Sequence, residues 1–281
     1  MHQRMRQFRT KFAARLACLF LLFVLLAACD GGATPAPTLT PRPTPAILNV
    51  GVSGSAAAMI ELVDGPYAAH SEQVYVNFVV GNNRTLFDDL AAGELDAIFV
   101  HHIIDGSQNW FNPVALDGVV VVSHPDNGIQ DLDLAQAQSI FSGQISNWAD
   151  VGGADLSVQT VGREQSADAR IIFNRRVMAE QRLSIHTLVE SDETALLETV
   201  AQTPGAAGYT MMSAVSGEVV PLSIDGVRPS PQTTATQEYP LTTPLYFVSG
   251  EEPTGELRAF LAWLQSEDGQ ANLGEKFGPV S

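Results

Sequence analysis

Both cysteines of the 281-residue chain, Cys18 and Cys29, lie within its first 29 residues. Whatever folds beyond them has no thiol for a disulfide, a thiolate metal ligand or a nucleophile, so it must be held by packing alone. The composition can supply that packing: 45% of the residues are hydrophobic and 16% charged, which suits one large domain or two small ones rather than disorder. The formal net charge of -16, from 15 Lys+Arg against 31 Asp+Glu, argues against a grip on nucleic acid or anionic lipid, since both are held through clustered Lys and Arg. Nucleic-acid binding is excluded on that ground.

Residues 1–28 read as an export signal. Arg4, Arg6, Arg9, Lys11 and Arg15 form a basic start, and Leu16 to Ala28 is an unbroken apolar run. As a helix that run rises only about 20 Å, short of the roughly 30 Å hydrocarbon core, which disfavours a permanent span. Its end, Leu26-Ala27-Ala28-Cys29, resembles the lipobox of bacterial lipoproteins, whose cysteine is diacylated and becomes the new N-terminus. The resemblance implies lipidation at Cys29, export, and anchoring to the outer face of the bacterial cytoplasmic membrane. Without the leader the charge becomes more negative, because all five of its charged residues are basic. Residues 29–46 continue as the lipidated cysteine and a Pro/Thr-rich linker. Proline fixes φ there, giving an extended spacer of about 3 Å per residue, or roughly 50 Å in all.

From Ile47 to Ser281 strand-like and helix-like patterns alternate. Ile47–Val52, Val74–Val80, Asp96–Val100 and Val119–Ser123 are short β-prone runs, while Ala56–Val63 and Thr85–Ala92 place apolar residues on one helical face. That order predicts βαβ units and a largely parallel sheet. A second α/β set follows, with helices at Leu132–Phe141, Ala167–Glu180 and Asp192–Ala201 around a strand at Ser157–Val161. The chain then returns through a strand at Leu241–Ser249 and an amphipathic helix at Gly255–Gln265, with Leu257, Phe260, Leu261 and Leu264 on one stripe.

Four stretches carry a resemblance. Ile140-Phe141-Ser142-Gly143-Gln144-Ile145-Ser146-Asn147-Trp148 with Val151-Gly152-Gly153, Thr203 to Tyr209, Tyr239-Pro240-Leu241, and Ser266 to Gln270 are similar, in order and spacing, to stations of the phosphate-binding protein family. That family supplies the substrate-binding components of ABC importers. The resemblance implies an α/β, two-lobed type II periplasmic-binding-protein fold with two crossing hinge segments, expected near Val122–Pro125 and Tyr239–Thr243. Residues 47–122 plus 240–281 would form lobe 1 and residues 123–239 lobe 2. Each station also has a structural job: Trp148 as a packing anchor, Gly143, Gly152 and Gly153 for turns at positive φ, Gly208 for a close backbone approach.

Capture of a small oxyanion without a metal needs backbone N–H groups, hydroxyls and a guanidinium. The family's arginine- and glycine-rich ligand segment aligns with Arg163 to Phe173, keeping Arg163 but placing Ser166, Ala167, Asp168 and Ala169 where the family has glycines and hydroxyls. The first-loop station becomes Gly54-Ser55-Ala56-Ala57 and the second Gly81-Asn82-Asn83-Arg84. Candidate ligand-binding residues are therefore Ser55, Asn83, Arg84, Arg163 and Ser166. With Ser166 as N-cap, Asp168 falls in the first helical turn, where a carboxylate is stabilised and would occupy or repel the place an oxyanion takes.

His101-His102 invites a metal reading, but neighbours on a strand point to opposite faces and no third ligand is near, so no metal or other cofactor is expected. No serine sits in a G-x-S-x-G turn, and no catalytic residue or enzymatic activity is expected. Two functions stay open. One is a monomeric binding lipoprotein that delivers an oxyanion, phosphate by family default, to an ABC permease. The other is a binding module of the same fold that has lost phosphate capture and serves as a sensor, an adhesin or a receptor for another solute.

Overall fold

β-branched runs separated by amphipathic helices produce the alternation expected of them. The computed structural model describes residues 45–280; the leader, Cys29 and most of the linker lie outside these residues. In the first half, β1 (Ala46–Ser53), α1 (Ala58–His70), β2 (Val74–Gly81), α2 (Asn83–Ala92) and β3 (Ala97–Val100) form two βαβ units, with β1 parallel to both β2 and β3. The long strand β4 (Trp110–Ser123) follows. The second half contains the short β5 (Asp131–Leu132), then α3 (Leu134–Ser142), β6 (Gln159–Arg163), α4 (Asp168–Phe173), β7 (Leu188–Glu190), α5 (Glu193–Gln202) and β8 (Ala206–Met211). After the short β9 (Val220–Pro221) and β10 (Ser223–Ile224) come α6 (Pro231–Ala235), β11 (Thr242–Ser249), α7 (Gly255–Leu264) and α8 (Glu267–Leu273).

The main sheet runs β2-β1-β3-β11-β4-β8-β6-β7. It is parallel at its flanks, as expected, but antiparallel through the centre, where β11 pairs with β3 and β4, and β4 with β8. The expected parallel sheet is thus corrected: β11 enters by a return of the chain rather than by a right-handed crossover, and so lies against its neighbours head to tail. Helix α4 is also shorter than the expected Ala167–Glu180 run, passing into a wider π turn at Asn174–Met178.

β4 is shared. Its residues up to Gly118 pair with β11, and from Val119 they pair with β8. The buried hydrophobic residues divide in the same way, into one set of two clusters between Leu48 and Ala115 and between Leu245 and Phe277, and another set from Val119 to Leu241. These are the two lobes of the fold. The first crossing lies at Asp117–Val119, ahead of Val122–Pro125, because Val119–Ser123 is already built into the second lobe's sheet. The second runs through Tyr239–Thr242 and packs on the first: the Tyr239 hydroxyl donates to the Val119 carbonyl at 2.8 Å, and a Cβ on Gly118 would meet the Tyr239 ring at 3.0 Å.

Most stations of the family resemblance have structural roles here. Trp148 is fully buried and its indole N–H donates to the Gly205 carbonyl at 2.9 Å. Gly143 and Gly152 adopt positive φ, whereas Gly153 does not; it must be small because a Cβ there would lie 2.6 Å from the Asn127 carbonyl oxygen. Trp148→Ala should cost about 3–5 kcal/mol, through the lost apolar volume and the orphaned Gly205 carbonyl. Denaturant unfolding checks this, and a loss under about 1 kcal/mol would contradict the anchoring role.

Candidate functional site

In an open α/β sheet, loops at the carboxyl ends of parallel strands converge on a crevice. Four such loops do so here: Ser53–Ser55 after β1, Gly81–Asn83 after β2, Arg163–Asp168 after β6, and Ser191–Asp192 after β7. They line a polar cavity of about 240 Å³. Of the residues expected from sequence, Ser55, Asn83 and Arg163 meet in it. Ser166 and Arg84 instead line a neighbouring, more open recess with Asp88 and His102, which Asn83 also borders. The N-cap of α4 is Ala167, with no side-chain bond, rather than Ser166. The helix therefore starts one residue late, and the Ser166 hydroxyl is carried away from the cavity.

The donors aimed into this crevice are occupied by the chain's own carboxylates. Asp168 is 1% exposed. Its Oδ1 accepts from the Asn83 amide at 2.6 Å and its Oδ2 from the His101 backbone N–H at 2.7 Å. Asn83 gives its other amide bond to the His102 carbonyl at 2.7 Å. Glu193, the first residue of α5, accepts from the Ser55 hydroxyl at 2.8 Å and from Thr210 at 2.7 Å, and its Oε1 sits against Arg163 Nη1. Arg163, 5% exposed, grips Glu164 with Nε and Nη2 at 3.0 and 3.1 Å and reaches the Ser191 carbonyl at 3.2 Å. At the mouth, the Ala195 N–H and then the Ser191 hydroxyl hold the Asp192 carboxyl below its usual range. The Ser53 hydroxyl in the cavity wall is 2% exposed and has no hydrogen-bond partner among the described residues. A buried hydroxyl of that kind calls for a partner, and the cavity has room for one, whether water or solute.

Behind the crevice lies a fully buried charge cluster at the first crossing. Asp117 Oδ2 accepts from the Ser213 hydroxyl at 2.6 Å and meets His101 Nε2 at 3.1 Å, while its Oδ1 accepts from the Gly118 and Ser213 N–H groups at 2.7 and 3.2 Å. His101 Nδ1 stands 3.8 Å from Asp168 Oδ2. Burial alone would push this imidazole down, but Asp117 and then Asp168 outweigh it and hold it up at about 9. It is an imidazolium at neutral pH. Among the described residues no group of three or more His, Cys, Asp and Glu side chains is placed to hold a metal ion.

The family model for a PBP superfamily domain matches residues 35–268, which takes in both halves of the crevice and both crossings. The chain belongs to the PBP superfamily. The resemblance to phosphate-binding proteins read from the motif stations is borne out by its relatives within that superfamily. The phosphate-binding protein PstS of Bacillus subtilis (strain 168) is 31% identical over 186 residues, 66% of this chain and 60% of that protein. A PstS of Borreliella burgdorferi is 20% identical over 58% of this chain and 62% of its own length. The chain thus spans about three fifths of the curated relatives it matches. Among solved structures, a putative phosphate ABC transporter substrate-binding protein from Clostridium perfringens, with bound phosphate, superposes with a TM-score of 0.78 at 22% identity. It covers 84% of this chain and 100% of its own. An ABC-type phosphate transport receptor from Vibrio cholerae gives 0.68 at 22% identity, over 83% and 100%. These likenesses fix the PBP fold.

Sequence reasoning passed over Ser53, Asp117, Glu193 and Thr210. Asp117 had a signal, a lone carboxylate inside the apolar run Val114–Ser123, whereas Glu193 reads as an ordinary first-turn acid. The charge cluster has a pH signature. Because the folded imidazole binds its proton more tightly than the usual 6.5, its contribution is full below about 6.5 and is lost as pH rises through about 9. Denaturant titrations at pH 7 and pH 10 should show a loss on the order of 3 kcal/mol in the wild type, largely absent in His101→Gln. Equal pH slopes in the two proteins would contradict it.

Proposed function

We propose that the chain is the exported, lipid-anchored substrate-binding component of an ABC importer, which holds a small oxyanion, with phosphate the first candidate, between its two lobes. Ser55, Asn83 and Arg163 are the ligand-side residues of this reading, with Ser53 added and Arg84 and Ser166 at the neighbouring recess. Its working lobes follow the expected division into residues 47–122 plus 240–281 and residues 123–239, with residues 119–122 passing to the second lobe through their pairing with β8; Cys29 is its lipidation site, and a membrane permease is its partner. It acts by binding and release rather than by turnover, as a monomer. One observation carries the reading: a buried Ser53 hydroxyl with no partner among the described residues faces a small polar cavity at the strand ends of both lobes in a chain whose relatives are named phosphate-binding proteins.

A specific observation favours the second reading, a module of the same fold that has lost phosphate capture. The Asn83 amide, the Ser55 hydroxyl and the Arg163 guanidinium already serve Asp168, Glu193, Glu164 and two backbone carbonyls. Thermal unfolding against phosphate, sulfate, molybdate, tungstate and organic anions separates the two. A true ligand at 100 times its dissociation constant should add about 2.7 kcal/mol, and Arg163→Ala should weaken it by about 2–5 kcal/mol. A flat panel would remove the oxyanion reading. For the anchor, Cys29→Ser should release the protein from membranes; continued sedimentation with them after a high-salt wash would refute lipidation.

A further inference from the structure

The buried bonds that cross the crevice share a feature that the exposed pairing of Arg175 in the second lobe with His102 and Asp105 in the first does not. Ser55, Asn83 and His101 belong to the lobe built on β1 to β3, and Asp168, Ala169 and Glu193 to the lobe built on β6 to β8. Asn83 and the His101 N–H donate across to Asp168 at 2.6 and 2.7 Å, and Ser55 donates across to Glu193 at 2.8 Å. A longer bond runs the other way, from the Ala169 N–H to the Ser55 hydroxyl at 3.4 Å. Three of these four bonds end on a carboxylate of the second lobe. A two-lobed binding protein ordinarily needs its solute to supply such acceptors, because without them the cross-lobe donors are better satisfied by water in an open cleft.

Asp168 supplies them from within. Its two oxygens take two convergent donors, at short charge-assisted distances, in a fully buried place where either donor left alone would be an orphan. Because Asp168 is joined to one lobe, it competes with any free anion at the effective concentration of an intramolecular group, on the order of millimolar or more. Electrostatics act in the same direction. Asp117 and Asp168 face the one His101 charge, and Glu164 and Glu193 face the one Arg163 charge. Each of these two cations is already matched by two carboxylates, so an added anion finds neither of them uncompensated.

We propose that Asp168 and Glu193 are built-in ligands: their carboxylates stand in for a bound anion, close the two lobes on each other without a solute, and make Asp168 the residue that sets which anions the cleft admits. Solute-free protein is then already closed, and an anion enters only by displacing Asp168. This goes beyond the proposed function and does not require it, since self-closure would hold whether or not phosphate is ever bound.

Hydrogen exchange of the full chain in detergent, with and without added inorganic phosphate, tests this on the wild type, Asp168→Gly and the near-isosteric Asp168→Asn. The Ala169 amide is the main reporter. Its acceptor, Ser55, lies in the other lobe and is not bonded to Asp168, so it reports opening rather than a deleted bond. In the wild type the His101 and Ala169 amides should be protected without phosphate and unchanged by it. In both variants they should exchange roughly tenfold faster or more. Phosphate should restore protection in Asp168→Gly, binding it at least about a hundredfold more tightly than the wild type. If the variants open but phosphate does nothing, the built-in ligand stands and the oxyanion reading falls. Wild-type amides that exchange as fast as those of the variants, or that phosphate protects as strongly as in Asp168→Gly, would overturn the proposal.

Discussion

Burying a carboxylate costs several kcal/mol unless donors and an opposite charge surround it. Three carboxylates at the junction of the lobes, Asp117, Asp168 and Glu193, are buried here. Each meets that requirement only because residues from both lobes reach it. Asp117 joins His101 to Ser213, Asp168 joins His101 and Asn83 to the start of α4, and Glu193 joins Ser55 to Arg163 and Thr210. The closed crevice and the two ionic clusters are therefore one arrangement. Pulling the lobes apart would strip partners from all three at once, which gives closure the character of a two-state step.

The rest of the fold positions these groups. Parallel strands at the two flanks of the sheet deliver four loops to one crevice, and the shared strand β4 lets a single chain build two lobes with a junction between them. That junction is where Asp117 stands, in the one stretch of β4 that belongs fully to neither lobe's core. A rigid apolar strand carrying one buried acid at its change of partner is both the hinge and the support for His101.

Periodicity and the glycine and tryptophan stations made the lobes and most helices legible, because they reflect core packing, which local sequence records well. Parts of the sheet were not legible, the short β7 and β9 among them. The first half of β4, Trp110–Gly118, contains Pro113, Asn112 and Asp117 and lacks a clean alternation, and β8, Ala206–Met211, begins with small residues that read as a turn. At the site, the position of Asp168 could be read from the chain because it replaces a residue that must be small around an anion. Its partners could not, since Asn83 and the His101 N–H reach it from 85 and 67 residues away. Arg84 and Ser166 show the limit from the other side: each is adjacent to a cavity residue, yet one step along a helix start is enough to turn a side chain into a different recess.

The central claim is that the crevice donors belong to the chain's own carboxylates. The most direct measurement is a crystal structure of the wild-type protein grown without phosphate or any other added oxyanion. The expected result has the lobes closed, with Asp168 on the Asn83 amide and the His101 N–H and Glu193 on Ser55. An open cleft, with those donors facing water and Asp168 turned out toward solvent, would contradict it.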